Sequence, residues 1–442
     1  MRTETRAPYP PMRFPSLARI FALIISIGLC ATAEPGRAAD DQPWILDANN
    51  WQEGKDLLPD PVVKRLQKGE YWFKVVPVDP EKFHHNYSQT FWDGTAANDG
   101  KYDLDPKTCG IKDKTTGKIP EFVFGLPFPK IDKSDPKAGC KIAQNFNFAG
   151  LQGGGGGATF TLNGIDTNGE FRRIKAFIHS QGFQGRHFGQ LKDNPENLTG
   201  QGIGGAIEPL DVEGVSTLTK RFWDWDSQDS LWAYVPSTRR ARRVNAATRS
   251  DPVAGLDIFS DDLNCYGGKV EYYQWKLVGE GQILAPVLRP YPFPSKSVSP
   301  SRQVIETPYM PAGYEKPGSK GAPWWIQENL VFVPRKVWIV EGQSSDPYYN
   351  FGRVIMYFDR DMYRIYWKLV HNRAGEYFYT AACGYHFVKN DENFSAVFPN
   401  LVIGVNDKMN RAALGGRFQS SFLEQHWDPA YFSLRTLTHM SD

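Results

Sequence analysis

The chain lacks the short motifs that mark several common enzyme classes. It has no Cys-x-x-Cys, His-Glu-x-x-His or His-x-His spacing, so no motif in it predicts a zinc site. It has no Gly-x-Ser-x-Gly elbow to present a hydrolase nucleophile. The glycine run at 153–157 is followed neither by Gly-Lys-Ser/Thr nor by a helical pattern, which favours a flexible turn over a phosphate loop. The pairs Asp224/Asp226 and Asp359/Asp361 fit turns better than the acid pair of a glycosidase.

The net charge is also small, and long apolar runs are rare. The formal net charge is only +2, which excludes the broad positive field of a nucleic-acid-binding protein, so no nucleic-acid partner is predicted. An apolar run at 20–31 is shorter than the roughly 20 residues that a membrane-spanning helix needs. The adjacent His84 and His85 would point to opposite faces of a strand and do not indicate a shared metal ion. We therefore expect no metal, no cofactor and no catalytic centre.

The apolar run at 20–31 belongs to a predicted signal peptide over residues 1–39. Arginines precede the run and small residues follow it, and this order of regions is typical of secretory signals. Cleavage is expected after Ala33 or, as we favour, just before Asp40. Residues 40–442 would then form a single mature domain in an exported, oxidising compartment.

Five cysteines define the expected disulfides. Cys30 would carry the lipid of a lipoprotein, but a bulky leucine precedes it where lipidation requires a small residue, so no lipid anchor is expected. The four mature cysteines, Cys109, Cys140, Cys265 and Cys383, allow three pairings. We favour Cys109 with Cys140, because both lie in one loop-rich stretch, and then Cys265 with Cys383. The alternative is that some of them are buried free thiols.

Aromatic residues are abundant, with 13 Trp, 20 Tyr and 28 Phe. They recur in short β-branched runs joined by Gly, Asp, Asn and Pro turns, which favours a large antiparallel meander over alternating strands and helices. One helix is predicted at 59–68, where Pro61 lies in the first turn and Gly69 follows the end. The predicted strands cover 71–76, 121–129, 158–162, 171–178, 218–223, 230–235, 272–278, 336–341, 353–359, 364–371 and 377–383.

Proline is concentrated in one segment, 286–323, which is also rich in serine and glycine. Such a composition predicts a long irregular insertion that wraps over the sheet or acts as a lid. The last fifty residues, 393–442, show weaker periodicity and receive no assignment.

Four arginines stand within five positions directly after the predicted strand 230–235. Pro236 forces a turn, and if the next segment is a strand, Arg240 and Arg242 face the same side. A guanidinium matches two oxygens of a phosphate or carboxylate at once, so the cluster suits a lipid headgroup or an acidic partner. The candidate ligand- or partner-binding residues are Arg239, Arg240, Arg242, Arg243, Trp232, Tyr234 and Trp275.

A purely structural role for these arginines is the alternative. Four acids lie close by in the sequence and would then pair with the arginines to join two sheet edges. Exposed pairs of this kind contribute only about 0–1 kcal/mol each, which makes a structural role less persuasive if the cluster is exposed. These candidate structural acids are Asp251, Asp257, Asp261 and Asp262.

The motifs around the arginines resemble the bacterial family called domain of unknown function 1329. The resembling runs are Trp-Ala-Tyr-Val-Pro at 232–236, the arginines at 239–243, Arg-Ser-Asp-Pro at 249–252, Asp261-Asp262, Trp-Lys-Leu-Val-Gly at 275–279, Gly-Leu-Pro-Phe-Pro at 125–129, Lys-Val-Trp-Ile-Val-Glu at 336–341, Tyr-Phe-Asp at 357–359 and Tyr363. Together they span most of the mature chain. The glycine run, the four mature cysteines and the proline-rich segment depart from the common pattern.

The resemblance implies a LolA/LolB-like fold, a curved antiparallel half-barrel whose concave face holds acyl chains in the Gram-negative periplasm. It further implies an inner-membrane exporter of the resistance-nodulation-division type and an outer-membrane β-barrel protein as partners, and no catalytic residues. The fold is thus expected to be mainly β, with a few short helices. A carrier of a lipid or another hydrophobic molecule is the favoured hypothesis, because the aromatic sheet could line an apolar groove. The alternative is a docking subunit without a ligand of its own.

Overall fold

The structure, a computed structural model, describes residues 43–77, 87–289, 293, 295–299, 301–307, 311–315, 329–389 and 394–440. The predicted signal peptide at 1–39, with Cys30, lies outside the described residues, and so do His84 and His85. The predictions for these residues therefore stay predictions.

Strands are the most abundant regular structure in the described chain. Four α-helices accompany them: α1 Asp60–Gln67, α2 Gln89–Ala97, α3 Ala138–Gly150 and α4 Leu434–His439. The strands of the first half are β1 Trp44–Leu46, β2 Phe73–Val75, β3 Tyr102–Leu104, β4 Ile111–Asp113, β5 Gly155–Asp166, β6 Gly169–Gly182, β7 Leu198–Glu208, β8 Ser216–Phe222, β9 Ser230–Val235 and β10 Arg240–Val244. The strands of the second half are β11 Tyr273–Leu288, β12 Ser295–Ser299, β13 Arg302–Ile305, β14 Leu330–Ser344, β15 Phe351–Asp359, β16 Ile365–Asn372, β17 Tyr377–Lys389, β18 Ser395–Asn406 and β19 Arg411–Glu424.

The described strands form one 17-stranded sheet and a separate hairpin, β3–β4. Antiparallel pairing runs in order from β11 through β14, β15, β16, β17, β18 and β19, continues through β5, β6, β7, β8 and β9, and ends at β10. Neighbours along this ladder are mostly neighbours in sequence, as a meander requires. The prediction of a mainly β fold built on a large antiparallel sheet is confirmed.

The sheet curls at its β11 end. Val287 near the end of β11 pairs in parallel with Tyr385 of β17, although β14, β15 and β16 lie between those two strands in the ladder. A flat sheet cannot bring β11 and β17 together, so this part of the sheet is curved, as expected.

Both faces of the central strands are covered. Successive side chains point to opposite faces, and Trp367 and Ala382 face α1, whereas their neighbours Lys368 and Cys383 face the segment 246–272. We call residues 246–272 the insert; four short 3-10 turns make up much of it. Strands β16 and β17 are consequently buried along almost their whole length.

Helix α1 begins and ends where the sequence predicts. Pro61 stands in its first turn, and Gly69 beyond its end adopts φ +71°, a left-handed conformation that closes helices at little steric cost for glycine. The helix buries Val62, Val63 and Leu66 against the sheet. It is therefore an amphipathic cover and not a surface helix standing alone.

Two local predictions are wrong. The segment 121–129 is not a strand. Asn98, which follows α2, donates to two of its backbone carbonyls, those of Phe124 and Leu126. The stretch around Cys140 is not a loop, because Cys140 belongs to α3, whose apolar side Ile142, Phe146 and Phe148 is buried.

The proline-rich segment is only partly irregular. Its first residues complete β11, and β12 and β13 form a hairpin whose second strand pairs with β19. Most of the remaining positions between 290 and 328 lie outside the described residues, so the lid stays a prediction. The glycine run is a turn only in part, since Gly155 to Gly157 begin strand β5. The unassigned C-terminal part supplies β18, β19 and α4.

Candidate functional site

The arginine cluster lies on a hairpin at the edge of the sheet. Among the described strands, β10 pairs with β9 alone, in the register Arg240–Val235, Arg242–Ala233 and Arg243–Trp232. Successive side chains of a strand point to opposite faces, so Arg240 and Arg242 share one face while Arg243 lies on the other. Arg239 sits at the tip in a left-handed conformation, φ +49°. The hairpin thus presents arginines on both faces and at its tip.

The four arginines are exposed, and no described carboxylate lies within ion-pair distance of any of them. The acids take other partners. Asp257 pairs with Arg411 at 2.8 Å, and the exposed Asp251 accepts a 2.8 Å hydrogen bond from Asn350. The alternative in which the nearby acids pair with the hairpin arginines therefore does not hold.

The three aromatic candidates separate into two places. Tyr234 is buried and Trp232 half-buried on the face of β9 that packs against α4, beside Leu437. Trp275 lies in the main core, stacked on Tyr273 with ring centroids 5.1 Å apart, and its Nε1 donates to the Val270 carbonyl. Trp275 is consequently a core residue and not a neighbour of the arginines.

A buried ion pair and buried hydrogen bonds fix the insert to the rest of the fold. Asp262 and Lys368 of β16 are both fully buried and lie 2.5 Å apart, and Tyr379 of β17 donates to the same carboxylate at 2.6 Å. Asp261 accepts from the Tyr349 hydroxyl and, within the insert itself, from Arg249 at 3.0 Å. Breaking a buried pair leaves an uncompensated charge, so these contacts hold the insert in one position. The candidate acids Asp261 and Asp262 are structural.

The two favoured disulfides are both present. Cys109 is bonded to Cys140, which joins the loop after β3 to α3, and Cys265 is bonded to Cys383, which joins the insert to β17. The second bridge spans 118 residues of sequence and is fully buried. It reinforces the ion pairs of Asp261 and Asp262 on the same segment.

A groove lies between α1 and the sheet. Its floor is apolar and comes from three strands, with Trp367 on β16, Ala382 on β17 and Ile403 on β18. Pro61 and Val62 of α1 form the opposite wall. The space within the groove is only about 10 Å³, room for about one water, so its own side chains nearly fill it.

A polar contact closes the mouth of this groove. Arg65 of α1 donates through Nε to Asp407 Oδ1 at 2.7 Å and through Nη1 to Glu70 at 2.8 Å. Tyr377 donates to the other oxygen of Asp407. Burial opposes the charge on Arg65, but the nearby Tyr71 and Asp407 hold the pKa of its guanidinium above the ordinary value. We call the Arg65–Asp407 contact the latch.

Sequence reasoning did not find the latch. Arg65 and Asp407 are 342 residues apart, and neither stands in a motif. The one available signal was the predicted helix 59–68, whose polar side carries Arg65 next to an apolar stripe. Without a structure, no pattern indicated the distant partner.

The described residues form neither a metal-binding cluster nor a membrane-spanning helix. Within the described ranges, no group of three or more His, Cys, Asp or Glu side chains is placed to hold a metal ion. Among the helices of those ranges, none is both long and apolar enough to cross a membrane. His179 instead contacts the hydroxyl of Tyr431 at 2.5 Å, and His187 contacts Ser88 and Thr90.

Comparison with known proteins identifies the family. A domain provisionally assigned to outer membrane lipoprotein sorting, from Vibrio parahaemolyticus, is 14% identical over 69% of this chain and 100% of that chain, with a TM-score of 0.47. A DUF1329 family protein from Desulfovibrio piger is 12% identical over 69% and 100%, with a TM-score of 0.45. A LolA superfamily protein from Nitrosomonas europaea is 11% identical over 67% and 98%, with a TM-score of 0.40.

No curated protein matches the chain. The sequence profile described as "Protein of unknown function (DUF1329)" matches residues 45–416. This match spans most of the 442 residues, so the protein belongs to the DUF1329 family.

Proposed function

We propose that the protein is a periplasmic carrier or chaperone that binds a lipid or another hydrophobic molecule, without catalysis, beneath α1. It would transfer this molecule between an inner-membrane exporter and the outer membrane. The observation that carries the proposal is the cover itself: a short amphipathic helix lies over an apolar floor of three strands and is held at the groove's mouth by a polar latch.

The helix has a simple way to move. It is tied to the sheet at both ends, since β1 and β2 pair with each other and β2 joins β14 at Val75–Phe332. Between these ties, Arg65 makes the polar contacts to the rim of the floor. Release of the latch would let α1 swing while the chain stays anchored.

The energy of exchange favours a long apolar ligand. Withdrawing Val62, Val63 and Leu66 from the sheet forfeits roughly 1.5–3 kcal/mol for each side chain, about 5–9 kcal/mol in all. An acyl chain gains about 0.8 kcal/mol per buried methylene, so about six to eleven methylenes are needed to match that loss. Small apolar molecules would not open the cover, whereas a lipid acyl chain would.

Lipid content and probe uptake test the proposal. Lipids that copurify with the chain are identified by mass spectrometry, and uptake of a fluorescent fatty acid is titrated. Arg65→Met should raise the affinity for the probe, because it removes the latch and leaves the apolar floor intact. Lys64→Met is the matched control, since the exposed Lys64 is the neighbour of Arg65 on α1 and removes the same charge.

A second pair of variants locates the bound probe. Ala382→Leu adds volume to the floor of the groove, whereas Ala381→Leu adds it on the opposite face, towards the insert. If Ala382→Leu loses uptake of the fluorescent fatty acid and Ala381→Leu does not, the probe binds in the groove. Absence of both copurified lipid and probe uptake in every variant would refute the carrier.

The closed groove favours one other function. An enclosed volume of about 10 Å³ is what a docking subunit without a ligand would also show. Such a subunit would bind its envelope partner equally well with α1 locked or free, whereas the carrier requires α1 to open.

A further inference from the structure

The β9–β10 hairpin concentrates positive charge. Residues 230–245 contain four arginines and no acid, and α4, which packs against this hairpin through Leu437, adds the exposed Arg435 and again no acid. The formal net charge of the whole 442-residue chain is +2, whereas these five arginines alone carry +5. The edge of the sheet at β10 is therefore a local concentration of positive charge.

Protection of the sheet edge explains only part of this patch. Charged side chains on an edge strand discourage pairing with another chain, and one or two arginines on β10 would be enough. Here the arginines occupy both faces of the hairpin and its tip, where Arg239 is not in a strand at all. A hairpin whose faces and tip all contact negatively charged groups accounts better for this distribution of arginines.

Apolar side chains accompany the arginines. Val235, directly opposite Arg240, is 39% exposed, and Leu434 at the start of α4 is 45% exposed. Cationic groups interleaved with exposed aliphatic side chains are typical of segments that rest in the headgroup region of a membrane. A folded acidic protein surface would complement the charge but not the two aliphatic groups.

We propose that the β9–β10 hairpin and α4 form a docking surface for anionic lipid headgroups. Each guanidinium can donate two hydrogen bonds to one phosphate, and none of the five is occupied by a described carboxylate. The inference rests on the proposed function, because a carrier of hydrophobic molecules must approach the membranes that supply and accept them. The hairpin and the α1 groove share no residue, so membrane docking and ligand uptake can be measured separately.

Vesicle sedimentation tests the surface. The purified full chain is mixed with vesicles of phosphatidylcholine alone or with added phosphatidylglycerol. Binding should appear only with phosphatidylglycerol and should weaken as salt rises. Each arginine near an anionic surface contributes roughly a fivefold gain in partitioning, so Arg240→Gln/Arg242→Gln should weaken binding about 25-fold and Arg240→Glu/Arg242→Glu further.

Lys68→Glu/Lys74→Glu is the matched control for the glutamate variant, because both lysines are exposed, lie just after α1 and on β2, away from the hairpin, and their substitution changes the net charge equally. The docking surface is supported if this control still binds the phosphatidylglycerol vesicles while the hairpin variants lose binding and keep an unchanged thermal unfolding temperature. Equal binding to both vesicle types, no binding, or equal loss in hairpin and control variants overturns it. Fatty-acid uptake by the hairpin variants should match that of the parent chain, so a failure of docking is distinguishable from a failure of the carrier.

Discussion

The two covers of the sheet are built in opposite ways. The insert is held by the disulfide Cys265–Cys383 and by two buried carboxylates, Asp261 and Asp262, each with several partners. Helix α1 is held by three aliphatic side chains and by the latch, whose Asp407 is 24% exposed. Both covers lie over strand β17, one on each face.

This difference determines which of the two covers can move. The covalent bridge limits any displacement of the insert, and moving the insert would also strand charges in the interior, which costs several kcal/mol. Displacing α1 costs apolar contacts that a ligand can replace. The insert is therefore the fixed part of the structure, and α1 is the cover of the groove.

The largest effect is expected from the charge beneath the insert. Lys368→Met removes the cation that compensates the buried Asp262 and should lower the free energy of unfolding by about 3–5 kcal/mol. Urea denaturation measures it. Lys408→Met is the control, because Lys408 pairs with Glu376 on the surface and its loss should change stability by less than about 1 kcal/mol. Equal effects at both lysines would contradict the fixed insert.

Removal of the bridge should follow in size. Cys265→Ser/Cys383→Ser frees a loop of 118 residues and should lower stability by about 2–5 kcal/mol. The variant should also make the insert more susceptible to proteolysis than it is in the parent chain. A protein of unchanged stability would show that the ion pairs alone fix the insert.

Acidification probes the strand that both covers share. Burial lowers the pKa of His386 on β17 from 6.5 to about 3. Between these values the unfolded chain binds a proton that the folded chain does not, so stability falls as the pH drops from 6.5 towards 3, by up to about 1.4 kcal/mol per pH unit. His386→Phe should reduce the dependence of the unfolding free energy on pH by the contribution of one titrating group. The control is His439→Phe, on the exposed side of α4; equal slopes in all three proteins would refute the assignment.

The smallest change in stability is expected at the latch. Arg65→Met should lower the free energy of unfolding by about 1 kcal/mol, because the pair is only partly desolvated, yet it should raise fatty-acid uptake. Loss of several kcal/mol would instead make Arg65 a structural residue like Lys368, and the contrast between the covers would disappear.

The sequence predicts elements whose signals are local. Pro61 and Gly69 bracket α1, and strand 230–235 is predicted to the residue, because turn residues and β-branched runs act over a few positions. Helix α3 is missed, since its glycine and asparagine residues disfavour an isolated helix and its packing against β11 and the bridge to Cys109 overrule that preference. Segment 121–129 is wrongly predicted to be a strand, because a tertiary contact replaces strand pairing: Asn98, which follows α2, donates to two of its carbonyls.

The candidate site divides in the same way. The sequence alone identifies the arginines of the hairpin but leaves their exposure open. It also leaves open whether the nearby acids pair with them; Asp257 and Asp262 instead pair with Arg411 and Lys368, which are distant in sequence. The latch joins residues 342 apart, and no local pattern carries such a contact.

Native-state hydrogen exchange compares the two covers most directly. The amides of α1 and those of the insert at 259–265 are followed in one experiment at increasing urea. The account predicts that α1 exchanges through a local opening several kcal/mol below global unfolding, that Arg65→Met speeds α1 alone, and that the insert exchanges only with the whole sheet. Exchange of both covers in one common unfolding event would contradict a movable α1.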